Sequence, residues 1–167
     1  MIERILVVDC GAKDFQYMIV DILNNGIKVI TKYDKTVYDL VGKSYIRIDK
    51  EIIDVFNKYN CTEIYMNIMG TSCGVYDSFP DDIKKITHGY KLSSQIINNR
   101  ICELLKDFRE RNILVGIEAI KLCDVVKCIM DESCFYFDQI GLRKINRNLD
   151  DEIRSKLHIF LGMYEIK

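Results

Sequence analysis

The sequence lacks the residues that would mark a structural metal site or a disulfide framework. It has two histidines, one proline and no CxxC pair among its seven cysteines. His88 and His158 lie far apart, without a cysteine or histidine partner at the spacing of metal ligands, so we expect no zinc site. An odd number of cysteines, several within apolar helix or strand patterns, indicates free thiols and a reducing, cytoplasmic location.

An excess of charge and a long apolar run are also missing. The formal net charge is −1, so no overall electrostatic attraction favours nucleic acid, although a local basic face fits this total. No apolar run approaches the roughly 18 residues of a membrane span. Glu3 and Arg4 interrupt the start, so we expect no signal peptide. Without repeats or linkers, we expect a single domain over residues 1–167.

The first prominent feature that is present is a short apolar segment that ends in an acid. Ile5–Val8 runs directly into Asp9, and Gly11 follows two positions later. A buried strand that ends in a carboxylate and a tight turn places that charge at the edge of a sheet. There it can hold a metal ion or a phosphate. The alternative interpretation is that Asp9 simply caps a turn.

The next segment, Phe15–Leu23, fits two different structures. As a helix it has one apolar face and ends at Gly26, which gives the strand–helix–strand opening of a flavodoxin-like or amidotransferase-like domain. As a strand it leads through Asn25 and Gly26 into Ile27–Tyr33, and Asn-Gly between two such runs is the strongest short hairpin signal. Periodicity alone leaves both alternatives open.

The rest of the chain is predicted to alternate helices and strands. The expected elements are a helix from an N-cap at Asp49 to about Asn60, a strand at Glu63–Met69, a loop with one short helix over Thr71–Gly89, a helix over Tyr90–Arg111, a strand at Ile113–Ile117, a helical segment at Leu122–Met130, an aromatic run at Phe135–Phe137 and a helix after Asp150. With the hairpin, this is a three-stranded antiparallel start followed by alternating helices and strands and a C-terminal helix. That order is typical of the mixed sheet of the ribonuclease H-like α/β fold.

Segments at both ends of the chain resemble one protein family. The matching residues are Val8–Lys13, Tyr17, Ile19, Asn25 and Ile27–Ile30 at the start, Tyr59, Asn60 and Gly70 around one strand, and Leu149–Asp151, Ser155, Leu161, Met163, Tyr164 and Glu165 at the end. These residues are similar to those of the poxvirus Holliday-junction resolvases, relatives of the bacterial RuvC resolvase with a ribonuclease H-like fold. The resemblance favours the hairpin at Phe15–Leu23.

The resemblance implies a homodimer that cuts four-way DNA junctions with two Mg²⁺ or Mn²⁺ ions held by four carboxylates. Asp9 matches the family's strand-1 aspartate, and Asp151 matches the first aspartate of its terminal pair. The strand-4 glutamate falls on Asn67, and the final aspartate falls on Arg154. An arginine at that position places positive charge where a cation would sit and opposes metal binding.

Other residues near these positions have both a functional and a structural interpretation. Asp150 and Glu118 are candidate metal ligands that would complete the set, yet acids that open a helix stabilise its dipole by roughly 0.3–1 kcal/mol. Glu118 also fits a solvated strand end. Asp151 and Arg154 have the spacing of an i,i+3 ion pair worth about 0.2–0.5 kcal/mol.

The candidate DNA-binding residues are three lysines. Lys13 follows the Asp9 segment, and Lys121 and Lys127 are what remains of the basic segment that the family carries after its fifth strand.

Three hypotheses follow for the function. The first is a catalytically weakened or inactive resolvase homologue that binds branched DNA or a viral protein partner. The second is an active endonuclease that resolves branched DNA with Mg²⁺ or Mn²⁺. The third is a phosphate- or nucleotide-binding module of another α/β fold, actin-like or amidotransferase-like, that approaches phosphate with the Asp9-Cys10-Gly11 turn. Asn67 and Arg154 favour the first hypothesis, because a two-metal mechanism depends on the carboxylates that they replace.

Overall fold

The computed structural model describes residues 3–11, 14–37 and 47–164, so the expectations for Lys13 and Glu165 lie outside the described residues. The strands are β1 (Glu3–Cys10), β2 (Asp14–Ile22), β3 (Lys28–Val37), β4 (Glu63–Asn67), β5 (Thr87–Tyr90), β6 (Ile113–Val115), β7 (Phe135–Phe137) and β8 (Arg143–Ile145). The helices are α1 (Ile48–Lys58), α2 (Thr71–Asp77), α3 (Asp81–Lys84), α4 (Ser94–Arg109), α5 (Cys123–Met130) and α6 (Asp151–Gly162), with a 3₁₀ helix at Ile117–Leu122.

The first three strands form an antiparallel meander, which confirms the hairpin. The turn between β2 and β3 is closed by a hydrogen bond from the Leu23 N–H to the Ile27 carbonyl at 2.9 Å. The Asn25 side chain accepts the Ile27 N–H at 3.2 Å, and Gly26 has a φ of +85° that favours glycine. A strand at Asp14–Ile22 excludes the strand–helix–strand opening of a flavodoxin-like or amidotransferase-like domain.

The main sheet has six strands in the order β5-β4-β1-β2-β3-β6. β4 runs parallel to β1, β5 runs parallel to β4, and β6 runs parallel to β3. The carboxyl ends of β1, β4 and β5 therefore meet at one edge of the sheet. Asp9, at the end of β1, lies on this edge.

Helices cover both faces of the sheet, which explains why β1 is buried on both sides rather than alternately. Ile5 and Val7 face a core closed by α4, α5 and α6. Leu6 and Val8 face a second core closed by α1, α2 and α3. The seven cysteines are free thiols. Among the described residues, no helix is both long and apolar enough to cross a bilayer.

Two expected helix starts and two expected strand ends differ from the structure, and the strand expected at Glu63–Met69 ends at Asn67. Asp49 is not the N-cap of α1: that position is Arg47, and Asp49 lies in the first turn with an oxygen 2.7 Å from the Arg47 guanidinium. Tyr90 belongs to β5, and α4 begins after Ser93, whose hydroxyl accepts the Ile96 N–H at 3.2 Å. The strand expected to reach Ile117 ends two residues earlier, at the last residue of β6.

Two paired segments were not expected at all. The loop predicted over residues 71–89 contains α2, α3 and most of β5, and β5 pairs with β4. The aromatic run Phe135–Phe137 pairs with Arg143–Ile145 in a separate two-stranded sheet. These strands are short and carry polar or exposed residues, so their hydrophobic pattern is too weak to indicate a strand.

Candidate functional site

The candidate site begins with Asp9 and its neighbour on β4. Val8 pairs with Met66 in the parallel ladder, so the next residues along the two strands, Asp9 and Asn67, lie side by side on the same face. Asp9 is half-buried. The side-chain oxygen of Asn67 accepts the Met69 N–H at 3.0 Å, so this oxygen stabilises the turn after β4. The structure thus brings together the first two residues of the predicted site, one of them an amide.

Asp9 is held by a buried hydrogen-bond network centred on Gln16. Gln16 lies opposite Asp9 on β2 and is 2% exposed. Its amide nitrogen donates to Asp9 Oδ2 at 3.2 Å and to the Ser155 carbonyl and hydroxyl oxygens at 2.6 and 3.0 Å. Its amide oxygen accepts the Tyr33 hydroxyl at 2.9 Å. One glutamine therefore links β1, β2, β3 and α6 at the edge where Asp9 lies.

The hydroxyl of Tyr33 stays a donor in this network. Burial raises the pKa of Tyr33 above its ordinary value, and neighbouring carboxylates raise it further. Sequence reasoning missed Gln16, Tyr33 and Ser155 as parts of the site. The only local signal was a polar residue, Gln16, within the otherwise apolar β2.

The two aspartates at the start of α6 both make interactions within the first turn of that helix. Asp150 is the N-cap, and its side chain accepts the Glu152 N–H at 2.9 Å. The Asp151 side chain is 99% exposed and lies 3.3 Å from the Arg154 guanidinium, which is the predicted i,i+3 ion pair. Among the described residues, neither aspartate contacts Asp9.

Arg154 is bound to the backbone of the segment that precedes α6. Its Nη2 donates to the Arg147 carbonyl at 2.6 Å and to the Leu149 carbonyl at 3.3 Å. Its Nη1 donates to Asp151. The guanidinium therefore fixes the segment before α6 to the first turns of that helix, and its charge is only partly neutralised by an exposed carboxylate.

His158, one helical turn after Arg154, lies in the electric field of both Arg154 and Asp9. Partial burial lowers the pKa of His158, the positive charge of Arg154 lowers it further, and the negative charge of Asp9 opposes both. The imidazole is therefore held in its neutral form near pH 7. From the sequence, His158 was a candidate only for a zinc site. Its electrostatic interaction with Asp9 depends on the fold and was not predicted.

This arrangement predicts opposite effects of two substitutions on the pKa of His158. Arg154→Gln removes a positive charge and should raise that pKa, whereas Asp9→Asn removes a negative charge and should lower it further. Titration of the imidazole protons by NMR measures both shifts. His88, whose Nε2 lies 3.2 Å from Glu63, is the internal control in the same spectra and should not move. Equal shifts of the two histidines, or none at His158, would contradict the described geometry.

The residues around Asp9 do not fit a pair of divalent metal ions. Such ions lie about 3.5–4 Å apart and need several oxygen ligands between them. Within residues 3–11, 14–37 and 47–164, no three His, Cys, Asp or Glu side chains are grouped so that they could hold a metal ion. Asn67 contributes an amide already used in a turn, and Arg154 contributes a cation. No catalytic step through a metal follows from this set of residues.

The remaining candidates lie elsewhere. Glu118 is exposed in the 3₁₀ helix after β6, and β6 pairs only with Lys28–Ile30 at the start of β3. The charge of Glu118 acts on Tyr17, whose side chain is in the core on the opposite face of the sheet from Asp9. In the described part of the chain Glu118 and Asp9 share no contact, so its role as a ligand stays a prediction.

The two described lysines of the predicted DNA-binding set are exposed. Lys121 Nζ lies 3.8 Å from Asp34, and Lys127 is on α5. The backbone carbonyl of Lys121 accepts a hydrogen bond from the buried ammonium of Lys156 at 2.6 Å, which ties α6 to the end of the 3₁₀ helix. Their role in DNA binding also stays a prediction.

The comparison with solved structures determines the fold. The chain is similar to the HK97 bacteriophage large terminase, with 9% identity and a TM-score of 0.62 over 98% of this chain and 40% of that one. It is also similar to the large terminase nuclease of thermophilic phage G20c with bound magnesium, with 12% identity and a TM-score of 0.59 over 98% of this chain and 82% of that one. The chain has the ribonuclease H-like fold.

A third similar structure with this fold is the yeast mitochondrial Holliday junction resolvase Ydc2. It has 13% identity to this chain and a TM-score of 0.52, over 96% of this chain and 78% of the resolvase. No protein-family model matches the sequence, and no curated protein matches it. At these identities the likeness shows the ribonuclease H-like fold alone, which confirms the predicted fold class.

Proposed function

We propose that this chain is a ribonuclease H-like protein that binds branched DNA as a homodimer and does not cleave it. The observation that carries the proposal is the arrangement around Asp9. Its neighbour on β4 is Asn67, and the α6 position expected to hold an acid is Arg154, hydrogen-bonded to two backbone carbonyls. The two-metal mechanism lacks the carboxylates that it needs.

The names of structurally similar proteins support the DNA-binding part of the proposal. Ydc2 is a Holliday junction resolvase, and the G20c protein is a terminase nuclease with bound magnesium. The sheet edge with Asp9 is retained in this chain, together with a buried network that fixes its shape. A sheet edge of fixed shape that lacks the metal ligands fits a protein that binds DNA without cleaving it.

A synthetic four-way junction tests the proposal. Fluorescence anisotropy should show that the junction binds more tightly than a linear duplex of the same sequence, with affinity falling as salt rises. Denaturing gels of the same mixtures, with Mg²⁺ or Mn²⁺ present, should show no cleavage. A terminase nuclease or a junction resolvase serves as the positive control for the assay.

Two results would contradict the proposal. Metal-dependent cleavage that Asp9→Asn abolishes would establish the active endonuclease instead. Absence of binding to both DNAs would overturn the DNA-binding function and favour the alternative of a viral protein partner.

A further inference from the structure

The β7–β8 hairpin forms one wall of an open cavity of about 750 Å³. Residues 136–140, 144 and 146–148 line this cavity, here called the hairpin groove. Part of the groove is formed by the segment directly before α6. Arg154 donates to the carbonyl of Arg147, one of the lining residues, at 2.6 Å. The residue that replaces a metal ligand therefore also fixes the shape of the hairpin groove.

The tip of the hairpin is rigid. One side-chain oxygen of Asp138 accepts the Ile140 N–H at 3.0 Å and the Leu142 N–H at 2.9 Å. The Asp138 N–H donates to the Leu142 carbonyl at 2.9 Å, and Gly141 adopts a φ of +85°. Because these bonds close the turn from both sides, its backbone conformation is fixed independently of any ligand.

The hairpin exposes two large apolar side chains to solvent. Phe137 is 62% exposed and Ile140 is 80% exposed. The Arg143 guanidinium lies 4.8 Å from the centroid of the Phe137 ring. Arg143 is itself held by an ion pair with Glu132 at 2.6 Å and by its N–H donated to Asn98 at 2.7 Å. The aromatic ring is thus supported from its base and offers its exposed surface for stacking.

Positive charge accompanies this aromatic surface. Lys144 Nζ lies 3.4 Å from Asp138, so these two charges largely offset each other. Arg147 is exposed, and within the described residues its guanidinium has no ion-pair partner. The groove therefore carries an uncompensated arginine within the same concave surface as an exposed aromatic ring and the amides of Asn146 and Asn148.

An exposed aromatic ring beside an unneutralised cation is the chemistry that recognises single-stranded nucleic acid. A base stacks on the ring, and the phosphate of the same or the next nucleotide pairs with the cation. We propose that the hairpin groove binds an unpaired nucleotide of branched DNA, with its base on Phe137 and its phosphate at Arg147. This inference rests on the proposed function and specifies which part of the DNA is recognised.

A forked DNA with 2-aminopurine in its unpaired arm tests the inference. Stacking on Phe137 should quench the fluorescence of 2-aminopurine when the intact chain is added. Phe137→Ala should abolish this quenching and weaken binding of the fork by about 5- to 150-fold, the range measured for loss of one stacked base. Phe137→Tyr should retain both. Arg147→Gln should weaken binding and reduce the slope of log affinity against log salt by about one.

The control is Ile117→Ala, which shortens an 88% exposed apolar side chain on the 3₁₀ helix outside the groove. It should leave quenching and affinity unchanged, and thermal melts should show that all variants fold. If the intact chain binds the fork but Phe137→Ala changes neither quenching nor affinity, the groove inference fails and the proposed function stands. If the intact chain binds no DNA, both fail.

Discussion

The double variant Asn67→Glu with Arg154→Asp is expected to bind Mn²⁺, whereas we expect no saturable binding by the unaltered chain. Asn67 lies beside Asp9 in the β1–β4 ladder, so a carboxylate there adds an oxygen ligand next to an existing one. The second substitution removes the guanidinium charge and adds another acid on α6. We expect affinity of about 10⁻⁴–10⁻³ M, the range of weak oxygen-ligand sites.

Loss of the electron paramagnetic resonance signal of free Mn²⁺ on titration measures this binding. The matched control is Asn57→Glu with Lys58→Asp, which makes the same change of charge at two exposed positions at the end of α1. Binding by the control would show that added negative charge alone is responsible. Binding by the unaltered chain as tight as that of the double variant would contradict our account of the site.

The second large effect is expected from Gln16→Met, which should lower the free energy of unfolding by about 2–4 kcal/mol. Methionine nearly matches the size of glutamine, but its thioether is only a weak acceptor for the Tyr33 hydroxyl and has no hydrogen to donate to Asp9. Tyr33 is 4% exposed, so its hydroxyl would lose its partner without gaining water. A buried polar group without a partner costs about 1–3 kcal/mol, and a bond to a charged group contributes about 1.5–3 kcal/mol.

Urea unfolding measures this loss, and the melting temperature should fall by roughly 4–16 °C for a chain of this size. Gln95→Met is the matched control, because Gln95 is exposed on α4 and, within the described ranges, its side chain bonds only to Asn99 at 3.0 Å. A surface substitution of that kind changes stability by about 0.5 kcal/mol or less. Equal destabilisation by the two substitutions would mean that the Gln16 network contributes nothing particular.

Local signals in the sequence were sufficient for β1 but not for β2. The apolar run that ends at Asp9 depends only on neighbouring residues and led to the correct strand. The Asn-Gly pair at residues 25–26 indicated the hairpin, but an apolar helix face fitted the same segment, and only the family resemblance favoured the strand. β5 could not be found in this way. Only Thr87 and Tyr90 at its ends are buried, and the strand exists because β4 is available to pair with it.

Contacts within the site were predictable only between two residues of the same helix or of two paired strands. The Asp151–Arg154 pair follows from helical spacing, and Asn67 was placed beside Asp9 by the family resemblance. Gln16 and His158 were missed because their roles depend on α6 packing over the ends of β1 and β2. Spacing along the sequence gives no information on a contact between one helix and two strands. A polar residue in an apolar strand is usually interpreted as solvent-exposed.

Replacing Arg154 by an acid, as a metal centre would require, is expected to lower the stability of the fold. An acid at the position of Arg154 would leave the carbonyls of Arg147 and Leu149 without their donor and would place negative charge beside them. That loss comes at once, whereas a benefit in metal affinity also requires an acid at Asn67. Replacing the arginine alone would therefore cost stability and gain no metal site, so a change toward a metal site would have to alter both positions together.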